Sequence, residues 1–375
     1  MKYGVIFILV VFTLGCTSPP TTTKTTATST IIITTTTILV TIPSRVITTT
    51  STTRTTTTLI STEIPSEILE NCIGFLIGSP NEINTIKLTG GGWVRPHPGP
   101  FSWQNIQPTE GTYDFSQTDI WVKTAQENKI GLVATIWPYA DWDQKKCHGN
   151  ECIVGTSDEF YPREGEEMFG IPSSRCKPCD MQAYIKFIEK MIERYDGDGV
   201  EDMPGLIQSI KYWEVDNEPF LEAEHLTFFK GTPEEYLSIL KVTYNAIKKS
   251  CQDCFVLHAG AANIESNELA KWRVVFQNGG IDYFDSANIH YISFGDKSTM
   301  NVKDFKKLVN EFGEKPIWLT EAEIKSVNDL IPLTEGAINA GAQKIFYTSI
   351  VIEQKGPPKP GQYTPEYKKM KEKCK

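Results

Sequence analysis

The sequence predicts an α/β protein in which a (β/α)8 barrel, a TIM barrel, follows a signal peptide and a threonine-rich stalk. Three observations support this: an apolar opening run, a Thr-rich tract after it, and strand-like runs that alternate with amphipathic helical ones beyond about residue 70. We expect residues 1–16 to be the signal peptide, 17–66 the disordered stalk and 67–375 the barrel. The net charge of −9 and the lack of a basic run argue against a nucleic-acid partner.

The first residues, MKYGVIFILVVFTLGC, have the pattern of a secretory signal. One early lysine precedes an apolar run that is shorter than a typical transmembrane span. Leu14-Gly15-Cys16 is similar to a lipoprotein processing site, in which Cys16 would become the lipidated N-terminus. Simple cleavage and retention as a membrane anchor are the alternatives, and each of the three predicts a secreted or cell-surface protein.

The tract from 17 to 66 is dominated by threonine, carries few charges and shows no helical period. This composition favours an extended, disordered stalk whose hydroxyl groups are available for O-glycosylation. A plain disordered linker is the alternative. The sequence contains no Asn-x-Ser/Thr sequon, so the usual signal for an N-linked glycan is absent.

Eight apolar runs after residue 70 have the length and composition of buried strands. In chain order they are IGFLIG, GWVRPH, IGLVATIW, IKYWEV, FVLHAG, SANIHYI, PIWLTE and KIFYTSI. Helical stretches such as AYIKFIEKMIERY lie between them, and the alternation predicts a parallel barrel. The weakest helix is NEINTIKLTGG, between strands one and two. A doubly wound open sheet is the less favoured alternative, because no Gly-x-Gly-x-x-Gly follows the first strand.

Cysteine usage supports export. Besides Cys16 the chain has an even number of cysteines, which are Cys72, Cys147, Cys152, Cys176, Cys179, Cys251, Cys254 and Cys374. In an exported protein these are expected to form disulfides, and Cys72 and Cys374 flank the folded region so that they can join its ends. A zinc site built from CHGNEC, including His148, and CKPC is the alternative.

Carboxylates end two of the predicted strands. YWEVDNEPF places Asn-Glu-Pro, with Glu218, at the end of the fourth strand. PIWLTEAEI places Glu321 and Glu323 at the end of the seventh, on the face that strand alternation shares with Ile317 and Leu319. Active sites of this fold lie at the C-terminal ends of the strands. Two carboxylates at one barrel mouth suggest glycoside hydrolysis, although strand alternation alone does not choose between Glu321 and Glu323.

Both segments also resemble a known family. YWEVDNEPF is similar to the fourth-strand signature of the large clan of retaining glycosidases on (β/α)8 barrels, which includes cellulases, β-mannanases, xylanases and β-galactosidases. PIWLTEAEI resembles the seventh-strand motif of that clan. The resemblance implies that Glu218 is the general acid/base, that Glu321 is the nucleophile and that Asn217 binds the sugar 2-hydroxyl. For a retaining enzyme the two carboxyl groups should be roughly 5 to 5.5 Å apart.

Further candidates line the same mouth. The resemblance places Arg95 beside the nucleophile, where it would favour the ionised carboxylate, and makes His290 a better candidate for the site than Tyr291. Trp137 and Trp142 follow the third strand and are predicted to stack on sugar rings. The segment from Lys145 to Asp180, inserted after that strand, is expected to wall the cleft. The clan usually has a tryptophan at the end of the eighth strand, where this chain offers only Tyr347 or a tryptophan from a loop as a substitute.

The predicted function is hydrolysis of a β-linked polysaccharide or glycan outside the cell by a retaining, monomeric enzyme without a cofactor. One alternative is an inactive barrel that only binds carbohydrate. A second is a metal-dependent hydrolase with Glu214, Asp216, Glu218 and His290 as ligands. For Glu214 and Asp216 we favour a structural network with Arg95.

Overall fold

The structure is a computed structural model that describes residues 30–39, 47–56, 63–154, 170–221, 227–290, 300–323, 327–349 and 364–374. The chain divides into two compact units, Met1–Ser61 and Thr62–Lys375. The expected signal peptide, Cys16 and Tyr291 lie outside the described residues.

The N-terminal unit contains an antiparallel strand pair. Strands β1 (Thr30–Leu39) and β2 (Ile47–Thr56) pair in a continuous register from Thr30 opposite Thr56 to Leu39 opposite Ile47. Threonine and isoleucine are β-branched, which favours the extended strand conformation over these two segments.

The second unit is a parallel eight-stranded barrel, which confirms the predicted fold. Its strands are β3 (Ile73–Ile77), β4 (Trp93–Pro96), β5 (Gly131–Ile136), β6 (Tyr212–Val215), β7 (Phe255–His258), β8 (Ala287–His290), β9 (Ile317–Glu323) and β10 (Ala342–Ser349). The hydrogen-bonded order is β7-β6-β5-β4-β3-β10-β9-β8, so neighbours in sequence are neighbours in the sheet. Two isolated parallel bridges, Leu257 to Ser286 and Ala261 to Ile289, join β7 to β8 and nearly close the barrel.

Helices connect the strands. They are α1 (Ser66–Leu69), α2 (Ile83–Thr89), α3 (Trp103–Ile106), α4 (Ser116–Asn128), α5 (Asp141–Cys147), α6 (Met181–Tyr195), α7 (Pro233–Ser250), α8 (Ser266–Gln277), α9 (Met300–Asn310), α10 (Val327–Ala340) and α11 (Thr364–Lys371). The weakly predicted NEINTIKLTGG forms a 3₁₀ turn followed by α2, which ends where Gly90 adopts a φ of 96°. No helix in the described ranges is long and apolar enough to cross a bilayer.

Apolar side chains fill the N-terminal end of the barrel. The buried members of this cluster are Ile64, Ile68, Trp93, Val133, Leu257, Trp318 and Phe346. Ile64 and Ile68 come from the segment through which the chain enters the barrel, and Trp93 Nε1 donates to the Ile68 carbonyl at 2.9 Å. Because strands of a barrel run in parallel, the chain enters at the end opposite to the mouth that carries the site.

All eight predicted disulfide cysteines are paired. The bonds are Cys72–Cys374, Cys147–Cys179, Cys152–Cys176 and Cys251–Cys254. The first joins the two ends of the barrel domain, as expected. The zinc alternative is therefore not supported, because a metal-binding cysteine needs a thiolate and these sulfur atoms are bonded to one another.

Candidate active site

Three side chains from three strands meet at the C-terminal mouth of the barrel. Glu218 follows β6, His290 ends β8 and Glu321 lies in β9. His290 Nδ1 lies 2.6 Å from Glu218 Oε1 and 3.5 Å from Glu321 Oε2. One oxygen of each carboxylate and one nitrogen of the imidazole all lie within 4.8 Å of one another. The two glutamates that the sequence singled out are therefore brought together around one histidine.

The chain turns sharply where it presents Glu218. Asp216 and Glu218 adopt φ angles of 69° and 38°, in a left-handed region that few non-glycine residues occupy. Asp216 N donates to the Ile136 carbonyl at 2.9 Å, so the turn is anchored to the neighbouring strand. Unfavourable backbone angles of this kind persist only where the surroundings hold them, and they cluster at functional sites.

An irregularity in β9 presents Glu321. Trp318 and Thr320 point into the barrel, so a regular strand would turn Glu321 outward. The pairing with β8 advances two residues, from Asn288 to His290, while β9 advances three, from Trp318 to Glu321. We expected Glu321 to share a face with Ile317 and Leu319; that prediction was wrong, since these residues pack outside the barrel and the bulge reorients the glutamate. Glu323 is exposed.

Arg95 connects the barrel centre to both ends of the site. Its Nε donates to Glu214 Oε2 at 2.5 Å, and its Nη2 donates to Asn217 Oδ1 at 2.6 Å. Its Nη1 lies 3.4 Å from Glu321 Oε2. The predicted position of Arg95 beside Glu321 is thus present in the structure, and Asn217 is held by the same guanidinium.

Glu214 is a fully satisfied buried carboxylate. Besides Arg95, its oxygens accept hydrogen bonds from Thr135 at 2.7 Å, from Asn288 at 2.5 Å and from Thr320 at 2.7 Å. Burial opposes ionisation of Glu214, but the Arg95 guanidinium, then His290 and the Thr135 hydroxyl, outweigh it and lower its pKa to about 2. This agrees with the structural role that we favoured for it.

Asp216 does not join that network, contrary to our expectation. Its Oδ2 accepts from the Tyr139 hydroxyl at 2.6 Å, and its Oδ1 accepts from Asn217 N at 2.9 Å. β6 ends at Val215, and the positive φ of Asp216 turns the side chain away from Arg95. Burial raises the pKa of Asp216 to about 7, because its two donors do not offset the loss of water.

The charges of the central trio depend on one another. Burial raises the pKa of Glu321 to about 7; His290 and Arg95 oppose this rise, and Glu218 adds to it. Burial also opposes protonation of His290, but the carboxylates of Glu321 and Glu218 outweigh it and raise the pKa of the imidazole to about 9. A cationic His290 therefore lies beside Glu321, whose ionisation is opposed by burial and by the neighbouring Glu218. Gly260 makes room for this ring, since a Cβ at that position would overlap it.

The predicted metal ligands do not converge. Asp216 is hydrogen-bonded to Tyr139, away from the others. Glu214 lies 3.9 Å from His290 but is paired with Arg95, so only Glu218 and His290 of that set are in direct contact. A metal ligand must also be unprotonated, whereas the neighbouring carboxylates hold His290 in its charged form. The donor set thus does not fit the metal-dependent alternative.

The predicted aromatic residues lie in different places. Trp137 follows β5 and is fully buried, and its Nε1 has no hydrogen-bond partner among the described residues. Trp142 lies in α5, where its Nε1 donates to the Gln107 carbonyl at 2.8 Å and its ring packs edge-on to Trp103. The Tyr347 hydroxyl is hydrogen-bonded to Thr334 of α10, outside the strands of the barrel. Tyr347 therefore does not replace the missing tryptophan of the eighth strand.

Sequence reasoning missed two residues beside Trp137. His97 lies 5.8 Å from the Trp137 ring and 3.4 Å from Arg95 Nη1. Its signal was available, because alternation in GWVRPH puts Trp93, Arg95 and His97 on one face. Phe228, whose ring lies 5.7 Å from that of Trp137, comes from a loop after β6 and carried no sequence signal.

Comparison with known proteins bears on the fold. No protein-family model matches the sequence, and no curated relative was found. Among solved structures, a family 39 glycoside hydrolase from Bacteroides cellulosilyticus matches with a TM-score of 0.50 and 16% identity, over 92% of this chain and 70% of that one. A glucosidase from Croceicoccus marinus matches with a TM-score of 0.54 and 14% identity, over 81% of this chain and 67% of that one. An endo-1,4-beta-mannanase from Rhizomucor miehei matches with a TM-score of 0.53 and 13% identity, over 80% and 95%.

The fold is therefore that of (β/α)8-barrel glycoside hydrolases, which confirms the resemblance drawn from the two strand motifs at the level of architecture.

Proposed function

We propose that the protein is an extracellular retaining glycosidase that hydrolyses a β-linked polysaccharide or glycan. The observation that carries the proposal is the meeting of Glu218 and Glu321 at one barrel mouth, with an oxygen of each within 4.8 Å of the other. Retaining enzymes place their two carboxyl groups about 5 to 5.5 Å apart, whereas inverting enzymes leave a wider gap for water. The separation of at most 4.8 Å between one oxygen of Glu218 and one of Glu321 is thus compatible with double displacement.

In the first step Glu321 attacks the anomeric carbon while Glu218 donates a proton to the leaving oxygen, so that a glycosyl-enzyme ester forms and the aglycone departs. Water then attacks that carbon, Glu218 takes its proton, and the ester bond to Glu321 breaks. Arg95 stabilises the negative charge that returns to Glu321, from 3.4 Å. Asn217 Nδ2 is buried without a partner among the described residues and is placed to donate to the sugar 2-hydroxyl.

Trp137, His290 and Trp142 complete the predicted set. His290 donates to Glu218 at 2.6 Å and fixes the orientation of the acid/base carboxylate. Trp137 is buried beside His97 and supports the site from behind, whereas Trp142 lies against α3 and contributes through packing. The paired cysteines are consistent with an exported protein. Its proposed substrate is therefore a carbohydrate outside the cell.

A fluorosugar glycoside with a good leaving group tests the assignment directly, because it forms the glycosyl-enzyme quickly and loses it slowly. We expect 2-deoxy-2-fluoro analogues of the β-glucoside, galactoside, xyloside and mannoside to include one that inactivates the protein and labels Glu321 in peptide mapping. The Glu321→Gln variant should lose turnover and labelling together. A label on any other residue, or unchanged turnover in that variant, would contradict the proposal.

A further inference from the structure

Two nested disulfides hold together the segment that follows β5. Cys147 is bonded to Cys179 and Cys152 to Cys176, and the described parts of the segment are residues 141–154 and 170–180. Arg175 N donates to the Cys152 carbonyl at 2.9 Å, so the backbone of Arg175 is fixed beside the inner disulfide. This arrangement gives a rigid base from which one long side chain extends.

Arg175 extends from this base to the loop that follows β6. Its side chain is 1% exposed, and its Nη1 donates to the Thr227 carbonyl at 3.0 Å. Its own carbonyl accepts from Lys230 N at 2.8 Å, and Cys176 Sγ lies 3.0 Å from the Lys230 carbonyl. The four residues from 227 to 230 are therefore held at both ends by one arginine and its neighbouring disulfide.

Phe228 lies inside the held loop and packs against Trp137 and His97. Its ring is buried, 5.7 Å from the ring of Trp137 and 6.4 Å from that of His97. His97 Nδ1 accepts from Arg95 Nη1 at 3.4 Å, and the same Nη1 lies 3.4 Å from Glu321 Oε2. An unbroken series of contacts thus leads from the disulfides to the proposed nucleophile.

We propose that Phe228 and Arg175 are positioning residues that set the specificity of the sugar-binding cleft: Arg175 fixes Phe228, and Phe228 fixes Trp137 and His97. The proposal rests on the proposed glycosidase function. His97 is the partly exposed member of this group and contacts Arg95 beside Glu321, so rings held from behind keep a fixed surface next to the two carboxylates. Without the support the same rings would be free to adopt other rotamers, and binding would weaken more than chemistry.

The test is a double-mutant cycle on the whole protein. With the 4-nitrophenyl β-glycoside that the protein hydrolyses fastest, we expect Phe228→Ala and Arg175→Gln each to raise KM about tenfold, the size of one lost aromatic contact, and to change kcat by less than about threefold. The KM of the double variant should not exceed the higher of the two single-variant KM values, because both substitutions act through the same ring. Additive effects, or an unchanged KM in Phe228→Ala, would overturn the proposal.

Two further variants distinguish a specific effect of Arg175 from a general effect of losing an arginine or of misfolding. Arg273→Gln removes an exposed arginine that pairs with Glu311 on the barrel surface, and it should leave KM unchanged. The Cys152→Ser/Cys176→Ser variant should reproduce the rise in KM even if Arg175→Gln does not fold. If the protein hydrolyses no glycoside, the proposed function fails by itself, and Phe228 is then judged by calorimetric Kd values for cellotetraose, xylotetraose and mannotetraose. A Kd that Phe228→Ala leaves unchanged for every sugar would end the proposal in that case as well.

Discussion

Arg95 and Glu214 form an ion pair at the centre of the barrel, with Nε 2.5 Å from Oε2 and both side chains fully buried. The other two guanidinium nitrogens of Arg95 reach Asn217 and Glu321. Replacing a buried ion pair by apolar groups often costs no stability, whereas removing one partner costs several kcal/mol. The pair is thus better explained by position than by stability, since it holds the residues that the reaction needs.

Glu214→Gln should destabilise the barrel because it leaves the Arg95 charge without its partner. We expect a loss of about 3 to 5 kcal/mol at pH 7. The pKa of Glu214 is lowered in the folded state, so its contribution, roughly 3 kcal/mol, is present at neutral pH and is lost as the pH falls from about 4.5 to about 2. Urea unfolding from pH 7 to pH 2 measures both effects. A variant that remains as acid-sensitive as the wild type would contradict this role.

Asp216→Asn should raise stability at neutral pH, whereas Glu214→Gln should lower it, although the two positions lie only two residues apart. The pKa of Asp216 is raised in the folded state, so folding favours its protonated form and loses stability as the pH rises from about 4 to about 7. Asparagine can accept from Asn217 N through Oδ1 and donate from Nδ2 to the Tyr139 hydroxyl oxygen, so it keeps both contacts without a charge, and it tolerates the positive φ. We expect the variant to be more stable than the wild type by roughly 2 to 4 kcal/mol at pH 7 and unchanged at pH 3. Lower stability at pH 7 would show that the charge is needed.

The sequence predicted the barrel because hydrophobic periodicity reports what each strand buries on its outer face. Phe75, Ile136, Val215 and Ile289 all pack between the sheet and its helices, as their alternation indicates. The two catalytic candidates were found from motifs at strand ends rather than from periodicity. Alternation even gave the wrong face for Glu321, because a bulge changes the register by one residue and leaves no trace in the composition.

Contacts between distant loops were the part that the sequence did not reveal. Arg175 binds Thr227 across 52 residues of chain, and nothing in the local pattern of either segment indicates the other. The pairing within the Cys-rich segment was likewise open, because close cysteines permit several connectivities. The prediction that Asp216 joins the Arg95 network was wrong for another reason. It assumed strand geometry one residue beyond the end of β6, where the backbone has already turned.

The pH dependence of hydrolysis should have a lower limb near pH 7. Glu321 attacks the anomeric carbon as a carboxylate, and its pKa is raised to about 7 by burial and by Glu218. The value of kcat/KM should therefore rise as the pH rises through about 7. The cationic His290 lowers this pKa, and His290→Asn should therefore move the limb to higher pH. Profiles from pH 4 to pH 10 for both proteins decide this, and a limb that moves down or stays in place would refute the role of the histidine charge.

Trp137 and Trp142 should respond differently to the same substitution. Trp137 is buried against His97, which contacts Arg95, so Trp137→Phe should raise KM several-fold. The change in Tm should be small, because the substitution also removes a buried N–H that has no partner among the described residues. Trp142 packs on Trp103 and donates to the Gln107 carbonyl, so Trp142→Phe should lower stability by about 1 kcal/mol and leave KM unchanged. Steady-state kinetics and thermal unfolding of both variants provide the comparison. A rise in KM for Trp142→Phe alone would place the sugar against α5 instead.

Removing the terminal disulfide should cost far more stability than removing the shortest one. Cys72 and Cys374 are separated by 302 residues, and Cys251 and Cys254 by 3. A cross-link stabilises mainly by restricting the unfolded chain, and the loop-closure relation gives about 6 kcal/mol for the long loop and about 2 kcal/mol for the short one. The paired serine variants, Cys72→Ser/Cys374→Ser and Cys251→Ser/Cys254→Ser, measure the difference in guanidinium unfolding without altering the mouth of the barrel. Both should keep the wild-type KM. Equal losses in the two variants would mean that strain or residual structure, rather than chain entropy, sets the contribution of these bonds.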